Sequence, residues 1–66
     1  MSQNGTTIRN LLEDLRGGRF NTSLVVNGVV IRRQKVVAFE NDVVYTVNRN
    51  GLARATRIDR IDSVNF

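Results

Sequence analysis

The chain has 66 residues, with ten basic and six acidic side chains and with no cysteine or histidine. This composition excludes disulfides and the usual Cys/His zinc site, and the length allows one domain at most. A domain this small has a limited core and often needs a further source of stability. With disulfides and zinc excluded, association with other subunits remains. All basic residues except Lys35 are arginines. Arginine binds phosphate bidentately and stacks on bases, which favours a nucleic-acid partner.

Residues 1–6 are predicted to form a disordered polar tail, and residues 7–66 to form the folded domain. The tail lacks the charged-then-apolar layout of a signal peptide, and no apolar run reaches the length of a membrane span. We therefore expect a cytoplasmic protein that has no membrane partner. Since the usual general base and the usual thiol nucleophile are absent, we expect no enzymatic activity, no cofactor and no small-molecule substrate.

An amphipathic helix is predicted from about Thr7 to Arg16. Its apolar residues fall at intervals of three and four, which makes one apolar stripe: Ile8, Leu11, Leu12 and Leu15. Thr6 or Thr7 can cap its N-terminus. Gly17-Gly18 predicts its end, because glycine accepts the left-handed conformation that follows the last helical residue.

Five short antiparallel strands are predicted after the helix. The strongest turn signal is Asn27-Gly28 between two apolar runs, and further reversals are predicted at Asn41-Asp42, at residues 48–51 and at residues 57–60. The strands between these turns cover about residues 24–26, 29–39, 43–45, 52–56 and 61–66. A second strand this long is expected to bend, so that it belongs to both halves of a barrel. The predicted fold is therefore mainly β: an N-terminal α-helix and a strongly bent five-stranded antiparallel sheet, as in SH3-like small barrels.

Three segments resemble a known family when their order and spacing are considered together. The helix, with Leu12 and Leu15, leads into the arginine-bearing turn at residues 16–19. Residues 24–31 form an Asn-Gly hairpin, and the second strand ends in residues 38–41, Ala-Phe-Glu-Asn. Residues 57–64 lead into an apolar last strand. From about Ile8 to its end, the chain resembles the Sm-like RNA-binding proteins, and the bacterial Hfq branch in particular.

This resemblance implies a homo-oligomeric ring, closed by pairing of the fourth and fifth strands of neighbouring subunits, that binds single-stranded RNA. The family binds uridine with an aromatic or histidine after the second strand, an asparagine nearby and basic residues in the last turn. Asn41 and Arg57 occupy matching positions, and Arg60 is a substitute cation. Asp42 stands where an aromatic is expected, and Ile58 stands where a glycine is expected. The resemblance therefore implies an altered uridine pocket.

Further RNA contacts are predicted outside this pocket. Arg16 and Arg19, with Arg9 one helical face away, form a candidate lateral patch, and the alternative is that they complement the helix dipole. Tyr45 is the best candidate for stacking on a base, with core packing as the alternative. Phe39 and Phe66 are expected in the core or in an interface.

The remaining charged residues are less telling. Strict strand alternation places Arg33 and Lys35 on one face of the second strand and Arg32 on the other. These side chains either contact phosphates or protect a strand edge against aggregation. Arg49 and Arg54 are expected to be ordinary exposed charges. Asp59 and Asp62 interleave with Arg57 and Arg60, which predicts ion pairs.

Two other functions stay open from the sequence. The altered pocket favours a structural or protein-interaction ring that does not bind RNA, whereas the arginine content favours RNA. A monomeric SH3-like adaptor would need an exposed aromatic groove, for which the aromatic content is low.

Overall fold

The computed structural model describes residues 7–66, and the predicted polar tail at residues 1–6 lies outside the described residues. The fold is mainly β, with one α-helix before five strands, as the sequence predicts. The elements in chain order are α1 (Ile8–Leu15), β1 (Thr22–Val26), β2 (Val29–Glu40), β3 (Val43–Val47), β4 (Ala53–Arg57), a 3-10 helix (Ile58–Arg60) and β5 (Ile61–Asn65). No helix within residues 7–66 is both long enough and apolar enough to cross a membrane.

Helix α1 begins and ends where local chemistry dictates. Thr7 is the N-cap, and its hydroxyl accepts a hydrogen bond from the Asn10 amide at 3.1 Å. Gly17 follows the helix with a φ of +76°, a conformation that glycine adopts without strain. The Gly17 amide donates to the Val36 carbonyl at 2.9 Å, which ties the end of the helix to β2. Leu12 then lies fully buried against the sheet.

The strands form one antiparallel sheet in the order β4-β3-β2-β1-β5. Strands β4 and β5 therefore lie at opposite edges of the sheet, as expected from the sequence. The two edges do not pair with each other, so the sheet is open within one chain. The strong bend expected of β2 stays a prediction.

Two bulges interrupt strand β2. Arg32 and Arg33 stand opposite the single residue Ser23 of β1, because the register changes between Thr22 and Leu24. A second register change lies between Val36 and Ala38, where β2 pairs with β3. Bulges locally break the alternation of faces along a strand.

The first bulge corrects the expected alternation of the basic residues in β2. Arg32 and Arg33 are both exposed, between the half-buried Ile31 and the buried Gln34. The prediction that Arg32 and Arg33 take opposite faces was wrong, because strict alternation assumes a ladder without an extra residue.

The core is small. Among residues 7–66 its buried apolar members are Leu12, Leu24, Val36, Val44 and Ile61. Two buried polar side chains satisfy each other, since the Thr46 hydroxyl donates to Gln34 Oε1 at 2.8 Å. Phe39 packs against the core as expected. Phe66 is 72% exposed, so its predicted place in the core was wrong, and its place in an interface stays a prediction.

Candidate nucleic-acid interface

A cleft of about 390 Å³ lies between strand β4 and the tip of the β1–β2 hairpin. We call it the edge cleft, because β4 is a free edge of the sheet. Its lining residues are Val26, Asn27, Ile31, Arg54, Ala55, Thr56, Arg57 and Arg60. Two predicted site residues, Arg57 and Arg60, meet here, and they are joined by Arg54, which was expected to be an ordinary exposed charge.

The connection after β4 brings these arginines together. The Ile58 amide donates to the Asp42 carbonyl at 2.7 Å, which fixes the end of β4 against the β2–β3 turn. The 3-10 helix then reverses the chain, so that Arg60 returns to the cleft that Arg57 lines. Arg57 Nη2 lies 2.9 Å from Asp59 Oδ2, which is one of the predicted ion pairs. Both side chains are more than half exposed, so the pair contributes little to stability.

Asn41 lies in the β2–β3 turn, outside the set of residues that lines the edge cleft. Its φ is +53°, a value that asparagine tolerates better than most residues. Its backbone carbonyl accepts a hydrogen bond from Arg9 Nη1 at 2.8 Å. The Arg9 guanidinium also lies 5.4 Å from the centre of the Phe39 ring. Arg9 therefore joins the helix to this turn, which is a structural role that the sequence did not indicate.

Arg16 and Arg19 are exposed on either side of Gly17-Gly18. The Arg16 backbone forms an isolated bridge with Val36, which positions this turn beside β2. Neither arginine lines the edge cleft. Their predicted role as a lateral patch that contacts RNA stays a prediction.

Tyr45 lies on the side of β3 that faces away from the core. Its neighbours in the chain, Val44 and Thr46, are fully buried, whereas Tyr45 is half-buried and outside the core cluster. Core packing, the alternative from the sequence, is therefore not its role. Its cross-strand partners are Ala38 and Ala55, whose small side chains leave room beside the ring. A face of this kind suits stacking on a base.

The Tyr45 hydroxyl donates a hydrogen bond to Glu40 Oε1 at 3.0 Å. This hydrogen bond, followed by the negative charge of Glu40 and by partial desolvation, raises the pKa of Tyr45 above the ordinary value near 10. The bond also limits the rotation of the ring, because the hydroxyl is held on the β2 side.

A second cleft, of about 300 Å³, lies beside the first bulge of β2. We call it the bulge cleft, and its lining residues are Arg32, Arg33, Asn48, Arg49 and Asn50. Phe20 lies next to it, with Lys35 Nζ and Arg49 Cζ each 5.8 Å from the ring centre. The sequence indicated Arg32, Arg33 and Lys35 only as a possible phosphate-contacting strand. Nothing in the linear pattern connected them to Phe20 or to Arg49.

A titration of Tyr45 tests the contact with Glu40. Because the chain has one tyrosine and no tryptophan, the ultraviolet absorbance of tyrosinate reports Tyr45 alone. We expect Glu40→Gln to lower the pKa of Tyr45 toward its ordinary value. The control Asp42→Asn removes a carboxylate of the same turn that does not contact the hydroxyl, and it should change the pKa less. Equal effects of the two variants would contradict the contact.

The sign of the stability effect follows from the direction of the shift. The pKa of Tyr45 is higher in the folded chain than in the unfolded chain. The stability that the protonated Tyr45 hydroxyl contributes to the fold is therefore fully present below about pH 10. It is lost as the pH rises through the pKa that Tyr45 has in the folded chain.

The chain has no match among protein-family models, curated proteins or solved structures.

Proposed function

We propose that this protein is an Sm-like RNA-binding protein, that it assembles into a homo-oligomeric ring through β4 and β5, and that it binds single-stranded RNA through arginines. The observation that carries the proposal is the sheet order, which leaves β4 and β5 as the two edge strands of a chain with a very small core. A free edge is an unsaturated hydrogen-bonding surface, and pairing with another chain saturates it.

The hydrogen bonds of the β3–β4 hairpin support pairing through β4. The bond from the Ile58 amide to the Asp42 carbonyl marks a hydrogen-bonded pair at the end of the ladder. Hydrogen-bonded and non-hydrogen-bonded pairs alternate along an antiparallel ladder, so the next pair, at Arg57, is non-hydrogen-bonded. Two residues further, Ala55 is in the same class. The backbone amide and carbonyl of Ala55 therefore point away from β3, toward the free edge.

The charges of the two edges are complementary. Strand β4 carries Arg54 and Arg57 and no carboxylate, whereas β5 carries Asp62 and no basic residue. Two copies of β4 would repel each other, and a β4 edge against a β5 edge would attract. Such a head-to-tail contact joins two different surfaces. It forms a closed ring when the rotation from one subunit to the next adds up to a full turn.

Edge pairing leaves the arginine side chains available to RNA. The pairing uses backbone groups in the plane of the sheet, while side chains project from its faces. The three arginines of the edge cleft supply planar donors for phosphate, and Tyr45 supplies a ring beside Ala55, which lines the cleft.

One observation favours the second candidate, a ring that has no RNA ligand. Two parts of the expected uridine pocket are altered: Arg57 pairs with Asp59, and Asp42 stands where the family has an aromatic side chain. In that case the edges would still associate, and the arginines would be solvated surface charges.

Ala55→Pro tests the ring. Proline removes an amide that points to the free edge, and the β3–β4 ladder loses no hydrogen bond at this position. We expect the variant to keep its circular-dichroism spectrum and to sediment as a smaller species than the unmodified protein. Arg54→Pro is the matched comparison, since that amide faces β3 and its loss should destabilise the fold itself. A folded Ala55→Pro variant of unchanged mass would contradict pairing through β4.

Asp59→Asn tests the RNA contact of Arg57. The change removes the carboxylate that pairs with the guanidinium, so we expect tighter binding of a single-stranded oligonucleotide in fluorescence anisotropy. Arg57→Gln should lower the slope of log affinity against log salt by about 0.7. In a chain that already carries Arg57→Gln, Asp59→Asn should raise the affinity for the oligonucleotide only slightly, because the two changes act on one interaction.

Asp14→Asn is the control for net charge, because Asp14 lies exposed on α1 and does not line the edge cleft. Equal gains from Asp14→Asn and Asp59→Asn would assign the effect to net charge and would remove Arg57 from the interface.

A further inference from the structure

The bulge of β2 places two arginines side by side at a cost in backbone energy. Arg33 has a φ of +57°, which is the left-handed region that a non-glycine residue rarely adopts. Glycine would take this conformation freely. Residues held in such conformations concentrate at functional sites, where the surrounding structure maintains them. Arg33 is therefore a candidate functional residue.

Buried hydrogen bonds hold the bulge in place. Gln34, which is 5% exposed, donates from Nε2 to the Arg32 carbonyl at 3.0 Å. Its Oε1 accepts from the Thr46 hydroxyl. The side chain of Gln34 thus anchors the bulge to β3, and it fixes the backbone from which Arg32 and Arg33 project.

The β3–β4 turn supplies the opposite wall of the bulge cleft. The Asn48 side-chain oxygen accepts hydrogen bonds from the Asn50 amide at 2.9 Å and from the Leu52 amide at 3.0 Å. The Gly51 amide donates to the Asn48 carbonyl at 3.0 Å. These bonds close the turn and hold Arg49 exposed near its tip.

Phe20 arranges two of the cations. Lys35 and Arg49 lie at equal distances from the ring centre, within the range in which an aromatic face attracts a cation. The ring itself is half-buried. Phe20 therefore keeps Arg49 on the same side of the molecule as the bulge.

The charge of this region is uncompensated among the described residues. The two ion pairs within residues 7–66 are Arg9–Glu13 and Arg57–Asp59, and neither includes a cation of the bulge cleft. No carboxylate lines the cleft. Three arginines without a carboxylate, next to two asparagine side chains, form a surface that attracts an anion.

We propose that the bulge cleft binds backbone phosphates of single-stranded RNA, as a second contact separate from the edge cleft. Arg33 and Arg49, which both line the cleft, are the proposed donors. Its volume, at the lower end of the roughly 300–1,000 Å³ typical of ligand sites, fits one nucleotide. Arg49 lies in the β3–β4 turn and Arg57 at the far end of β4, so the two clefts mark opposite ends of this hairpin. This inference rests on the proposed function.

The test uses the full chain with Arg33→Gly and Arg49→Gln, separately and together, and single-stranded RNA in fluorescence anisotropy over a range of salt concentrations. Two lost phosphate contacts should lower the slope of log affinity against log salt by about 1.4, since each contributes about 0.7. The affinity should then fall roughly 25-fold at about 0.1 M salt, if the contribution is taken to vanish at about 1 M.

Arg33→Gly separates binding from folding. Glycine relieves the backbone at this position, so the thermal midpoint of the variant should equal or exceed that of the unmodified protein while RNA binding weakens. Leu52→Gln is the matched control, because Leu52 is 66% exposed in the same turn and carries no charge. That variant should bind RNA with the original slope.

The outcomes distinguish the two proposals. If the unmodified protein binds RNA and the double variant binds it with the same slope, the bulge cleft is not a contact site, and the proposed function stands. If the unmodified protein does not bind RNA at all, both proposals fail. Tighter binding of a DNA duplex of the same length, lost in the double variant, would overturn the assignment to single-stranded RNA.

Discussion

The hydrogen bond between Thr46 and Gln34 holds strand β2 in the register on which both clefts depend. It is buried in the centre of the sheet, where neither side chain can turn to water. Gln34 faces inward only because the bulge adds a residue after Ile31. Ile31 therefore lines the edge cleft, and the next two residues line the bulge cleft. Loss of one partner would leave a buried polar group unsatisfied, which costs about 1–3 kcal/mol.

The size of the core explains why assembly is central to the proposal. Five buried apolar side chains stabilise the described part of a chain that has neither cysteine nor histidine. The same chain exposes two strand edges and large apolar side chains such as Val29 and Phe66. Burial of such groups between subunits would add the stability that one small domain lacks. Assembly and RNA binding are compatible, because the first uses backbone edges and the second uses side chains.

The features that the sequence predicted are those that local chemistry determines. Thr7 caps the helix and Gly17 ends it, because both act through their own backbone neighbours. The turn signals at Asn27-Gly28 and Asn41-Asp42 predicted the reversals between β1 and β2 and between β2 and β3. The apolar runs between the turns predicted the strands themselves. Arg57 and Arg60 could be grouped because they are close in the chain.

The features that the sequence missed depend on pairing between distant segments. The bulge at Arg33 arises from the register of β1 against β2, and arginine is not a residue that signals a left-handed conformation. Phe20 and Arg49 meet only through the fold. Arg9, whose place in a lateral patch stays a prediction, bonds to the turn at Asn41, and the linear sequence does not show this contact. Sequence patterns therefore located the edge cleft in part and the bulge cleft hardly at all.

Native mass spectrometry of the unmodified protein, with and without a short single-stranded oligonucleotide, distinguishes a ring that binds RNA from a monomer. We expect one closed oligomer of defined subunit number that gains the mass of bound RNA. A monomer at every protein concentration, with or without RNA, would contradict it.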